Sequence, residues 1–165
     1  MRNLIFVGLP GSGKSTVGRL CAKALNLPFV DADKFLEQRE GRSVADIFAS
    51  SGEGYFRDLE SRVLAELCRR EGIVLATGGG AVLRRENRRL LRAGGLVIFL
   101  DRSHWAIRRT LRRQGRPLLT DDGAIFRLAR QRRDLYRATA HHSVNKPTAH
   151  QAAEEAVRLW REEQT

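Results

Sequence analysis

Short apolar runs alternate with amphipathic stretches along the chain. The runs NLIFVG (3–8), PFVD (28–31), GIVLAT (72–77), LVIFLD (96–101) and HHSVN (141–145) predict five strands. Residues 14–25, 34–40, 53–70, 84–93, 103–113, 124–138 and 148–163 carry apolar side chains at i, i+3 and i+4, which predicts helices between them. Strands that alternate with helices imply a mostly parallel sheet covered on both faces, an α/β fold of three layers. Ligands of such sheets gather at the carboxyl ends of the strands. Two stretches depart from the alternation. Residues 32–61 hold more helix than one crossover needs, and are expected to form a substrate-binding insertion. The segment RQGRPLLTDDG (113–123) is polar and punctuated by glycine and proline between two helices, and is expected to be a lid.

The first strand runs into GLPGSGKST, residues 8–16, a GxxxxGK[ST] match placed between a strand and a helix. Gly8, Gly11 and Gly13 let the backbone curl so that successive amides point at phosphate oxygens, with the positive end of the following helix behind them. Lys14 is expected at the β and γ phosphates of ATP, and the Ser15 hydroxyl on Mg2+. Gly11, Ser12, Gly13, Lys14, Ser15 and Thr16 are therefore the nucleotide-binding candidates. With the loop beginning at residue 8 of 165 there is no room for a motor domain, and no NKxD motif selects guanine. The compact small-molecule kinases remain as the leading class.

VDAD (30–33) ends the second predicted strand with Asp31 and Asp33 at i and i+2, which on an extended strand face the same way. One can serve Mg2+ through water while the other accepts a substrate hydroxyl's proton. Asp33 also suits a helix N-cap before KFLEQRE. In YFRDLE, Arg57 and Glu60 are three apart on a helix and can pair, which would present the guanidinium to a carboxylate. ATGGGAVL (76–83) strips the side chains from three consecutive positions, Gly78, Gly79 and Gly80. The triplet is either a plain loop or a surface where backbone lies close to a ligand.

GLPGSGKST, DAD, FRDLE, GGG, RPLL (116–119) and RRDLY (132–136), in this order over about residues 3–150, resemble the shikimate kinase family. The resemblance implies a P-loop fold like that of nucleoside monophosphate kinases, with a five-stranded parallel sheet. It implies Mg2+-ATP as donor and the 3-hydroxyl of shikimate as acceptor, in aromatic amino-acid biosynthesis. By motif match Asp33 would bind the substrate hydroxyls and act as base, while Arg57 and Arg132 would hold the carboxylate. Gly78, Gly79 and Gly80 would offer substrate-facing backbone, Gly79 most directly, with room for the ring. Arg116 would reach in from the lid toward the transferring phosphate, and Asp31 with Ser15 would serve the metal. Arg109 and Pro147 resemble the adenine-flanking positions. Asp134 stands where the family's R-x-P-L-Y pattern has proline, which leaves Arg133 as an alternative to Arg132.

Composition narrows the picture further. A chain of 165 residues suits a single domain, 1–165, that needs no disulfide or metal staple. Cys21 and Cys68 fall in apolar helical rows and are expected to be buried thiols. The apolar stretch of MRNLIFVGLPG is too short for a signal peptide and no run is long enough for a membrane span, so the cytoplasm is the expected location. The net charge of +11 invites a nucleic-acid partner, but no RNP signature, helix-turn-helix spacing or zinc-finger ligand accompanies it. A monomer acting on a small molecule is the expectation. Its rivals are a gluconate or nucleoside-monophosphate kinase of the same shape, and a P-loop RNA-binding module without turnover.

Overall fold

The computed structural model describes the backbone of residues 1–113 and 122–165. Most of the expected lid, with Arg116 in it, lies outside the described residues. The elements are β1 (Asn3–Val7), α1 (Lys14–Leu25), β2 (Phe29–Asp31), α2 (Ala32–Glu40), α3 (Val44–Leu67), β3 (Val74–Ala76), α4 (Arg85–Gly94), β4 (Gly95–Leu100), α5 (His104–Arg113), α6 (Asp122–Thr139), β5 (His142–Val144) and α7 (Ala149–Glu162). The strands form one sheet in the order β2-β3-β1-β4-β5, and every pairing is parallel. Leu4 of the central strand lies between Val74 and Leu96, and Ile5 between Leu75 and Val97.

Alternation along the strands divides the core in two. Ile5, Val7, Leu75, Val97 and Phe99 face Leu36, Phe56, Leu64, Leu91 and Tyr136 from α2, α3, α4 and α6. Leu4, Phe6, Val74, Leu96 and Ile98 face Val17 and Cys21 of α1 and Ala156 and Trp160 of α7. Covered on both sides, β1 is buried at all five positions, which is why it reads as one unbroken apolar run. Among the described residues no helix is long and apolar enough to cross a membrane.

Three local expectations need correction. The strand β2 ends at Asp31, whose side chain accepts from the Lys34 backbone N–H at 3.1 Å and so caps α2. Asp31, not Asp33, is therefore the N-cap, and Asp33 lies in the first helical turn instead of on a strand face. The third helix begins at Val44 instead of residue 53. Ser43 caps it by accepting from the Asp46 N–H, and it bends at Gly52, where φ is 83° and ψ 171°. The polar sequence SSGEG hides the first half of that helix because a glycine in non-helical conformation interrupts the periodicity. Finally, Cys21 is buried as expected, but Cys68 at the end of α3 is only partly so.

Candidate active site

At the carboxyl end of β1 the chain turns through residues 8–13 into α1. Gly13 caps that helix in the left-handed conformation, φ 91°, where a side chain is strained, and no side chain caps the first amides. Those N–H groups are left for an anion. Lys14 is 8% exposed, and its Nζ donates to the carbonyls of Gly8 and Leu9 at 2.8 Å each. Ser15 Oγ donates to Asp31 Oδ2 at 2.7 Å. A hydroxyl and a carboxylate in contact form a hard-oxygen pair of the kind Mg2+ accepts alongside phosphate oxygens, so both residues fit the expected metal role.

Beside the loop lies a cavity of about 200 Å³ whose lining includes Ser12, Gly13, Arg102, Val144, Lys146 and Thr148. Pro147 stands between two of these residues without lining the cavity, and Arg109 is exposed on α5 and does not line it either. The geometry instead brings Arg102 there, with its Nη1 3.9 Å from where a Gly13 Cβ would stand. Its signal in the sequence was position: it follows the carboxyl end of β4, the strand beside the P-loop strand, where ligands of such sheets collect.

The second half of the site faces the loop from α2, α3, the turn after β3, and α6. Arg57 Nη1 meets Glu60 Oε1 at 2.8 Å, and Arg57 Nε lies 3.5 Å from Glu53 Oε1. The Arg57 and Glu60 side chains are 12% and 4% exposed, so this is a buried ion pair and not a surface contact. Glu60 Oε2 is buried without a hydrogen-bond partner. Burial, with the nearby charges of Glu60 and Asp31, pushes Asp33 up to about 6, against the pull of Lys14. Burial likewise raises Glu60, with Arg57 opposing.

The glycine triplet has a different cause from the expected one. A Cβ on Gly78 would stand 2.7 Å from Asp33 Oδ1 and 3.1 Å from Glu60 Oε2. On Gly79 it would stand 2.7 Å from Pro10 Cδ, and on Gly80 it would overlap the Arg57 guanidinium. The room that the glycines leave is thus filled by the site's own carboxylates, guanidinium and P-loop proline, not held open for a ring. Their carbonyls accept from the Ala81 N–H, the Tyr136 hydroxyl and the Leu83 N–H, so a ligand would meet the turn's N–H groups. Thr77 anchors the turn to β1, its N–H and hydroxyl both donating to the Phe6 carbonyl at 3.1 and 2.9 Å.

On α6, Arg133 is committed to Asp101 at 2.9 Å, and Arg137 reaches the other oxygen of that carboxylate at 3.6 Å. Arg132 points elsewhere, near enough to Glu60 and to the Tyr136 hydroxyl to influence both. Of the two arginines, Arg133 is taken by Asp101, while Arg132 lies toward Glu60 and Tyr136.

A glycine-rich loop between the central strand and α1, the Ser15–Asp31 contact beside it and the buried Arg57–Glu60 pair, on a five-stranded parallel sheet, are the features of a P-loop kinase fold. The family model for shikimate kinase matches residues 10–161. A shikimate kinase of Pseudomonas syringae pv. tomato is 53% identical over 144 residues, 85% of this chain and 84% of that protein. One from Thioalkalivibrio sulfidiphilus is 46% identical over 165 residues, covering 96% and 87%. The solved structure of shikimate kinase from Acinetobacter baumannii in complex with shikimate superposes with a TM-score of 0.92 at 34% identity, covering 99% of this chain and 95% of that one. The chain belongs to the shikimate kinase family.

Proposed function

We propose that the protein transfers the γ-phosphoryl group of ATP to the 3-hydroxyl of shikimate, giving shikimate 3-phosphate and ADP. The carrying observation is the buried Arg57–Glu60 pair, set with Asp33 around a glycine turn that packs on the P-loop through Gly79 and Pro10. Glu60 fixes the guanidinium, so the free edge of Arg57 meets a carboxylate in a set orientation. Arg132 holds the same carboxylate from α6. Asp33, ionised above pH about 6, accepts the hydrogen bond of the acceptor hydroxyl and takes up its proton as the oxygen–phosphorus bond forms and the bond to ADP breaks. Lys14 exchanges its two carbonyl partners for phosphate oxygens, and the P-loop amides, Gly11 to Thr16, cradle the rest. Magnesium, held through Ser15 and Asp31, neutralises phosphate charge when bound. By motif match Arg116, outside the described residues, would add positive charge at the transferring phosphate. Gly78 to Gly80 present backbone to the acceptor, and Arg102, which lines the cavity beside the loop where Pro147 and Arg109 do not, faces the adenine. The protein works as a single domain with 32–61 as its acceptor-binding segment, as a monomer and in the cytoplasm.

ADP release measured side by side with shikimate, gluconate and AMP tests the reading. Turnover is expected with shikimate, at a kcat/KM at least about a hundredfold above the other two, since the open chain of gluconate and the bulk of AMP do not hold an anion on the guanidinium groups and a hydroxyl at Asp33 in the same fixed geometry. Turnover with gluconate or AMP and none with shikimate overturns it.

A further inference from the structure

The reaction as described makes no use of the Tyr136 hydroxyl. Tyr136 is wholly buried on α6, its ring stacked on Phe99 of β4 with centroids 5.2 Å apart and planes at 28°. A phenylalanine would fill that space as well, so the hydroxyl answers some other demand. The turn after β3 supplies it. The Gly78 carbonyl accepts from the Ala81 N–H at 3.2 Å and the Gly80 carbonyl from the Leu83 N–H at 3.1 Å, both within the turn. The Gly79 carbonyl between them accepts from the Tyr136 hydroxyl at 2.6 Å, across 57 residues of chain. Burial pushes the phenol up to about 12, with Arg132 opposing, so the group stays a donor. Arg132, four residues earlier and on the same face of α6, lies against that hydroxyl. One oxygen therefore bonds the middle of the glycine turn and lies near enough to feel the arginine assigned to the acceptor's carboxylate.

We propose that Tyr136 is a positioning residue for the acceptor: its hydroxyl ties α6 to the Gly79 carbonyl and so sets Arg132 at a fixed distance from the glycine backbone. The inference rests on the reading above, in which Arg132 and that backbone bind opposite parts of shikimate. Misplacing one against the other weakens acceptor binding and leaves the ATP site untouched, because the ring still fills its place and Gly79 still rests on Pro10.

Tyr136→Phe removes the hydroxyl and keeps the ring. Its KM for shikimate is expected to rise about 3- to 12-fold, the range of one neutral hydrogen bond, with the KM for ATP within about twofold of wild type. On an Arg132→Ala background the same change should alter the shikimate KM by less than about twofold, because the positioned group is already gone. An unchanged shikimate KM, an equal rise in both KM values, or the full effect on the Arg132→Ala background overturns the proposal. So does a Tyr136→Phe chain without near-UV circular dichroism, since the hydroxyl would then hold the fold as a whole. Wild-type turnover is measured first. If shikimate gives none, the functional reading fails and the inference with it. A working wild type with a Tyr136→Phe variant indistinguishable from it defeats the inference alone.

Discussion

At the donor end Lys14 rests on two neutral carbonyls, whereas at the acceptor end Arg57 is bound to a carboxylate that is 4% exposed. A phosphate displaces carbonyls from an ammonium readily, because a charged acceptor makes the stronger hydrogen bond. An incoming carboxylate cannot displace Glu60 without leaving a buried charge unpaired. In the proposed function the donor end would thus exchange partners and bind by charge, and the acceptor end would keep its partners and bind by orientation. Removing the two cations should separate these regimes. Lys14→Ala is expected to lower kcat by about 10²–10³-fold, the cost of one preorganised charge at the transferring group. Its thermal unfolding should stay closer to wild type than that of Arg57→Ala, since the hydrogen bonds to the Gly8 and Leu9 carbonyls are lost without stranding a charge bonded as closely as Glu60 is to Arg57. Arg57→Ala should lower kcat/KM by about ten- to a hundredfold and also destabilise the fold by about 3–5 kcal/mol, because Glu60 is stranded. Equal stability of the two variants by thermal melting would erase the distinction.

A second contrast lies between the two aspartates. Asp31 accepts from the Ser15 hydroxyl and the Lys34 N–H, while Asp33 is pushed up to about 6 by burial and its neighbours. If Asp33 must be ionised to accept the hydroxyl, kcat/KM for shikimate falls about tenfold per pH unit below about 6. The sign for stability is opposite. A carboxyl with a raised folded pKa binds its proton more tightly in the folded chain, so its contribution is full near pH 4 and is lost as pH rises through about 6. Asp33→Asn should therefore raise the melting temperature at pH 7–8, by about 1–2 kcal/mol in stability, while removing most activity. No gain at pH 7–8 relative to pH 4 would place the Asp33 carboxylate in a better-solvated setting than its position implies.

How far these contrasts could be read in the sequence depends on what fixes each feature. The P-loop follows from local spacing, because its phosphate donors are consecutive backbone amides and its glycines serve the turn they sit in. The parallel sheet follows from apolar runs that need no knowledge of their neighbours. The acceptor end is made of contacts between segments far apart. Arg57 against Gly80, Asp33 against Gly78 and Pro10 against Gly79 leave no periodicity behind. Glycine alone does not tell whether a missing side chain makes room for a ligand or for a neighbour. Asp31 and Asp33 share a spacing that suits a strand, and only the early end of β2 turns one into a cap and the other into a helical residue. Arg132 and Arg133 become distinguishable once Asp101 is seen to take the second.

The glycines allow a finer cut. At Gly80 a methyl group displaces the Arg57 guanidinium, and at Gly79 it presses on Pro10 of the P-loop. Gly80→Ala is expected to raise the shikimate KM roughly tenfold with little change for ATP, since a small misplacement of an orienting group is costly. Gly79→Ala should disturb both substrates. Identical kinetic signatures for the two variants would mean that the turn moves as one piece.

The smallest effect belongs to the cavity beside the loop. Arg102 lines it together with Lys146 and the apolar side chains of Val17, Leu100 and Val144, yet it is partly open to solvent. A guanidinium in that setting contributes about 0.5–1 kcal/mol to a ring or anion lying against it, because water competes for the same donors. Arg102→Ala should therefore raise the ATP KM only two- to fivefold, by steady-state ADP release, and leave the shikimate KM unchanged. The asymmetry with Lys14 is the informative part, as both cations border the P-loop but the proposed mechanism puts only Lys14 where charge develops during transfer. A loss of kcat in Arg102→Ala comparable to that in Lys14→Ala would carry Arg102 from the nucleotide's base to its reacting phosphate, and would break the division of the donor end into a binding half and a chemical half.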